Sequence, residues 1–133
     1  MKLTARSEYA LLALIYLGRQ PADVLVSAET VAIAQGIPPK FLEQIFLSLR
    51  RAKYLRSTKG HRGGYQLARS PTEINLAEVV RLFDGALAPT ESASRHFYEP
   101  TPIEKEEKLL NLFKGIRDWV SARMEATTLA DML

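Results

Sequence analysis

Apolar residues recur along this chain with two different periods. Tyr9, Leu11, Leu12, Leu14, Ile15, Tyr16 and Leu17 predict a first helix buried on most of its surface. Thr4 suits its N-cap, Ala5 to Glu8 its first turn, and Gly18 its end. After a loop over 20–25, Ser27 caps a short second helix that closes at Gly36. A tight turn then leads to a third helix over 38–52, starting at Pro38-Pro39, where a missing N–H costs nothing. Phe41, Leu42, Ile45, Phe46 and Leu49 repeat on it at helical spacing and should face a core. Lys40, Glu43, Gln44, Arg50 and Arg51 are left on the other side.

The period then shortens. Tyr54 to Thr58 and Tyr65 to Arg69 read as two strands, with Tyr65 and Leu67 alternating toward one face. Between them lies the glycine-rich tip Lys59-Gly60-His61-Arg62-Gly63-Gly64. Ser70-Pro71 breaks the second strand, Asn75 caps a helix over Leu76 to Phe83, and Asp84-Gly85 ends it. Ala86 to Pro102 has little periodicity, and its Ala, Pro, Thr and Ser residues are expected to bury little, giving a loop. Within it Arg95, His96, Phe97 and Tyr98 form a compact cluster that either covers a pocket or anchors the loop.

From Ile103 to about Thr127 a long helical pattern returns. Leu109, Phe113, Ile116, Val120 and Met124 form one stripe, which Leu110 widens on one side and Leu112 and Trp119 on the other. Such an arc exceeds what a helix lying on one small domain needs, and suggests a dimer contact. The alternative is a helix packed only within its own chain. The tail Thr128 to Leu133 is expected to extend the same contact.

Charge sharpens the reading. The whole chain of 133 residues is only +3. Residues 40 to 69, however, hold eight basic side chains against the single acid Glu43, a net +7, so the rest is −4. One part is suited to a polyanion. A Lys, Glu and Gln cluster in the first turns of a helix has the donors and acceptors that read base edges. Basic side chains on a hairpin tip can reach phosphates or the minor groove. A helix-turn-helix followed by a basic hairpin is a winged helix. The plainer alternatives are a helical hairpin with a solvated face and a strand hairpin charged for edge protection.

Other classes find less support. The chain has no cysteine, which removes disulfides, thiolate nucleophiles and cysteine-ligated metal sites. No nucleophile–base pairing or cluster of catalytic carboxylates stands out, and no Lys-Ser or Lys-Thr follows the glycines to make a phosphate loop. There is no signal-peptide pattern, and the longest apolar run, Tyr9 to Leu17, is too short to span a membrane. A soluble, cytoplasmic protein with no membrane partner is expected.

Several motifs together resemble the bacterial winged helix-turn-helix regulators of the IscR/CymR-like family. They are Met1 to Thr4 with Tyr9-Ala10, Phe41-Leu42-Glu43-Gln44 within Ile37 to Leu49, Lys59 to Tyr65, and Ile74 to Asp84, collinear over residues 1 to about 85. The resemblance implies a mainly α fold: a winged helix-turn-helix domain over 1–85 with a two-stranded wing, a loop over 86–102, and a helical dimerisation arm over 103–133. It implies a repressor that binds double-stranded DNA as a homodimer on a pseudo-palindromic operator. Lys40, Phe41, Glu43 and Gln44 fall where the family contacts bases and backbone, and Lys59 where a wing residue, usually Arg, enters the minor groove. With them the expected DNA-binding set includes Arg50, Arg51, His61 and Arg62. Cluster-binding members place three cysteines ahead of the long helix, where this chain offers Ser92, Ser94, His96, Tyr98, Glu99 and Glu104. No iron–sulfur cofactor is therefore expected, and either constitutive binding or a small-molecule or protein effector replaces it. The alternative function is a regulator whose arm recruits a partner protein, with DNA contacts secondary.

Overall fold

The computed structural model describes residues 2–133. Its elements are α1 (Ala5–Gly18), α2 (Ala28–Gln35), α3 (Pro39–Arg51), β1 (Leu55–Thr58), β2 (Gly64–Leu67), α4 (Leu76–Asp84) and α5 (Glu107–Glu125), with short 3₁₀ turns between and after them. The fold is mainly α with one two-stranded antiparallel sheet, as expected.

The helix starts follow the capping residues. The Ser7 N–H donates to Thr4 Oγ1, the Thr30 N–H to Ser27 Oγ at 3.1 Å, and the Ala77 N–H to Asn75 Oδ1 at 2.9 Å. Gly36 ends α2 with φ 66°, a left-handed conformation that suits glycine. The end of α3 is closed by Arg69, which donates to the carbonyls of Ala52 and Lys53 and lies 4.3 Å over the Tyr54 ring. A cation there also suits the negative end of the helix dipole.

One core joins these elements. Ala10, Ala13, Leu14 and Leu17 of α1 meet Val31 of α2 and Leu42, Ile45, Phe46 and Leu49 of α3. Phe41, expected to face the core with them, instead sits at its edge, 41% exposed. Its ring meets Tyr9 edge-on at 5.4 Å, so the buried stripe begins only at Leu42.

The wing pairs Leu55 with Leu67 and Thr58 with Gly64. It is tied to the body by a backbone bridge: the Val26 N–H donates to Tyr65 O at 2.9 Å, and the Tyr65 N–H to Val26 O at 2.7 Å. A Cβ on Gly64 would sit 2.7 Å from the Val26 carbonyl, and one on Gly63 would sit 2.1 Å from Thr58 O. The double glycine is therefore a requirement of close approach.

Three expectations for the C-terminal third need correction. First, α5 starts at Glu107 and not near Ile103, because Pro102 opens a separate 3₁₀ turn and Glu106 leaves helical geometry at φ −110°, ψ 86°. Second, the loop over 86–102 does not bury little: Leu87, Ala88, Ser92, Ala93 and Ser94 are buried, while Arg95 to Tyr98 are exposed. Small side chains let its backbone lie close on the helices. Third, the tail does not extend the exposed face of α5. Leu129 is fully buried in the main core, its N–H donates to Ile74 O at 2.8 Å, and Thr128 bridges to Asn75. Asn75 Nδ2 also donates to Glu125 O at 2.6 Å, so the cap of α4 holds the end of α5 as well.

Leu129→Ala should therefore lower unfolding free energy by about 2–5 kcal/mol, the cost of emptying a well-packed leucine site. Denaturant titration checks this, and a loss below about 1 kcal/mol would mean that the tail is not part of the core.

Candidate nucleic-acid interface

The buried face of α3 determines where its opposite face points. At about 100° per residue, Lys40, Gln44, Leu47 and Arg51 fall on one stripe, with Glu43 beside it. Lys40, Glu43, Gln44 and Arg51 are all exposed. Lys40, Phe41 and Gln44 line a shallow surface depression of about 380 Å³, joined there by Arg6 of α1. Arg6 is the residue of this surface that sequence reasoning missed. Its guanidinium lies 5.4 Å over the Phe83 ring of α4, which holds it beside the start of α3. No local pattern marks it; only the packing of α1 across α3 brings it there.

Arg50 is turned away from that stripe. Its Nη1 donates to Ser57 Oγ of β1 at 3.2 Å, linking the end of α3 to the wing. Lys59, His61 and Arg62 are exposed on the tip between β1 and β2. A Gly63 N–H···Gly60 O bond of 3.0 Å closes that tip, with Gly60 at φ 106°.

The basic window divides by what each residue touches. Arg69 closes α3, and Arg56 reaches the Ala68 carbonyl at 3.4 Å. Lys40, Arg51, Lys53, Lys59 and Arg62 are exposed on α3, just after it and on the wing tip. The outward charge is therefore smaller than the +7 of the window, but it is spread over two projecting elements.

The stripe on α5 divides similarly. Val120 and Met124 pack against Ala77, Val80 and Leu87 of the same chain. Leu109, Leu112, Ile116 and Trp119 stay exposed, Trp119 by 71%, and Phe113 is half-buried. The apolar surface available to a partner is the N-terminal two-thirds of the helix. At its edge Asp118 is held by Arg117 and Arg95, each at 2.7 Å. The hydrogen bond from Arg117 is the main reason its carboxyl lies below the ordinary aspartate range. Burial beside the Glu78 carboxylate raises the Tyr54 hydroxyl pKa, and the two share a 3.1 Å hydrogen bond.

The residues between α4 and α5 do not fit an iron–sulfur cluster or an iron ion. Cysteine is absent from the chain. The Ser94 hydroxyl accepts from the Phe97 N–H at 2.9 Å, and Ser92 bonds Thr101. Among the described residues, no three His, Asp or Glu side chains come together as metal ligands.

Known proteins give the geometry its context. A family model described as Rrf2, an iron-dependent transcriptional regulator, matches residues 3–133. The chain is 36% identical over 135 residues to the Mycobacterium tuberculosis protein Rv1287, which carries an HTH-type regulator name, covering 99% of this chain and 81% of that one. It is 28% identical over 132 residues to the HTH-type transcriptional regulator CymR of Bacillus subtilis, covering 99% and 89%. The solved structure of oxidised CymR from Staphylococcus aureus superposes with a TM-score of 0.77 at 30% identity, covering 99% of this chain and 95% of that one. With a recognition-type helix, a basic wing and these matches along its whole length, the chain belongs to the Rrf2 family of winged-helix, DNA-binding transcriptional regulators.

Proposed function

We propose that this regulator is a cytoplasmic homodimeric repressor that places α3 of each subunit in successive major grooves of a pseudo-palindromic operator. The observation that carries the reading is the exposed stripe of Lys40, Gln44 and Arg51 on a helix whose other face is fully buried, with a basic wing tip beside it. A helix so anchored can enter a groove without repacking. Gln44 can bond an adenine bidentately, and Glu43 can accept from a cytosine amino group. Phe41 offers an apolar edge to a thymine methyl group. In this reading Lys40, Arg51, Lys59, His61 and Arg62 meet phosphates, and Arg6 extends that set. Arg50 acts indirectly, by tying the wing to α3.

The dimer contact in this reading is the exposed face of α5: Leu109, Leu112, Phe113, Ile116 and Trp119. Val120 and Met124 contribute by fixing that helix on its own body. DNA release in this reading does not depend on an iron–sulfur cluster, since the segment that would hold it has no cysteine.

Gln44→Ala should weaken operator binding by about 1–3 kcal/mol while leaving binding to random DNA nearly unchanged. Equal losses on both, measured by fluorescence anisotropy, would remove Gln44 from base reading. Lys59→Ala and Arg62→Ala should each reduce the slope of log K against log salt by roughly one. An unchanged slope in both variants would place the wing off the DNA.

For the arm, Ile116→Glu and Trp119→Glu put a charge on the apolar face without touching the core. Sedimentation should show monomers, with operator affinity falling because two half-sites are no longer linked. A dimer that survives both substitutions would refute this interface and leave the face open to a different protein partner.

A further inference from the structure

Three arginines from three different elements converge beside the segment between α4 and α5. Arg81 comes from α4, Arg95 from the segment and Arg117 from α5, and they line one hollow with His96, Ser94 and Ser121. Neither DNA binding nor the exposed face of α5 uses this group. Two carboxylates answer the three guanidinium charges. Arg95 Nη2 and Arg117 Nη2 both donate to Asp118 Oδ1 at 2.7 Å, and Arg81 Nη2 donates to Glu125 Oε1 at 2.7 Å. Arg117 Nη1 also donates to the Ala93 carbonyl at 2.9 Å.

Burial separates the fixed parts from the replaceable ones. The Arg117 and Arg81 side chains are 14% and 20% exposed, whereas Asp118 and Glu125 are each 49% exposed. Arg81 and Arg117 are held in the wall, while Arg95, 61% exposed, sits at the rim with the two anions. Ser94 and Ser121 add hydroxyls and are themselves buried. Guanidinium forks match the oxygens of a tetrahedral or planar oxyanion, and hydroxyls complete such sites. The free space is only about 10 Å³, no more than the least that one water needs. An incoming anion must therefore take the place of a carboxylate, which half-exposed side chains can permit by swinging outward.

We propose that this hollow is a binding site for a small oxyanion, a phosphate or sulfate group, which displaces Asp118 from Arg95 and Arg117 and so joins the 86–102 segment to α5 through the ligand. The internal carboxylates are stand-ins for that group. With three cations against two acids, the site keeps one positive charge uncompensated.

The competition gives the test. Inorganic phosphate, sulfate and a simple phosphomonoester are titrated calorimetrically into the full chain, with chloride at matched ionic strength as the control. Wild-type protein should bind the divalent oxyanions with Kd of roughly 1 mM and bind chloride no better than background. Asp118→Asn removes the resident anion and should tighten oxyanion binding about tenfold, the equivalent of about 1.4 kcal/mol. Arg95→Gln, at an exposed position outside the core, and Arg117→Gln should each abolish it. Preference for the inorganic ion or for the ester identifies the source and supports the site either way. Failure of Asp118→Asn to gain affinity, or an equal response to chloride, would overturn the proposal and leave an ordinary surface ion-pair cluster. The readout is ligand affinity without DNA, so it stands or falls separately from the operator-binding reading.

Discussion

The burial of one face of α3 is the constraint on which the rest of the structure depends. Leu42, Ile45, Phe46 and Leu49 are all fully buried. Their i, i+3, i+4, i+7 spacing admits one rotation of the helix about its axis. Full burial of a large apolar side chain is worth about 1.5–3 kcal/mol, so turning α3 to present another face would forfeit several such terms at once. That rotation leaves Lys40, Glu43, Gln44 and Arg51 outside. The same core positions the wing: Phe46 packs on Tyr65 with ring centroids 4.5 Å apart, and Tyr65 bridges to Val26. Helix and wing are thus two projections from one packed centre, with the exposed Arg50–Ser57 bond as a further tie between them.

The C-terminal third is fastened to that centre from both ends of α4. At its start, Asn75 caps the helix and reaches Glu125 O while Leu129 fills the core beside Ile74. At its end, Asp84 accepts from the Thr4 N–H at 3.2 Å and from the Thr4 hydroxyl, so the start of α1 and the end of α4 are joined. A carboxylate at a helix N-terminus is also favoured by the helix dipole. Phe83, one residue earlier, supports Arg6 beside the depression on α3. The chain therefore has a continuous line of contacts from the end of α4 to the face that carries Lys40 and Gln44.

Local signals in the sequence were the readable ones. Thr4, Ser27, Asn75 and Gly36 mark helix ends because capping is decided within a few residues. The α3 stripe and the double glycine of the wing were equally legible, since both reflect short-range geometry. Contacts that span the chain were not. Leu129 lies in a tail too short to show a period, so its burial was invisible beforehand. The small residues of 86–94 suggested weak packing by their size, yet size is what lets them lie against α5. Counting charge over 40–69 treats Arg69 as outward, although it is half-buried and turns back to the carbonyls of Ala52 and Lys53. Arg6 enters the site only through the packing of α1 on α3.

The segment between α4 and α5 shows how one position can be held by different chemistry. Thiolate ligands would fix such a loop through strong, short coordination bonds. Here the holding forces are of two kinds. Leu87, Ala88 and Ala93 are buried, and this apolar contact persists at any ionic strength. Arg95 and Arg117 add ion pairs to Asp118, and pairs to so exposed a carboxylate are weak and weaken further with salt. Packing therefore determines where the backbone lies, while charge determines which way Arg95 points. Because the second can change without the first, the orientation of that side chain can respond to an anion while the loop stays in place.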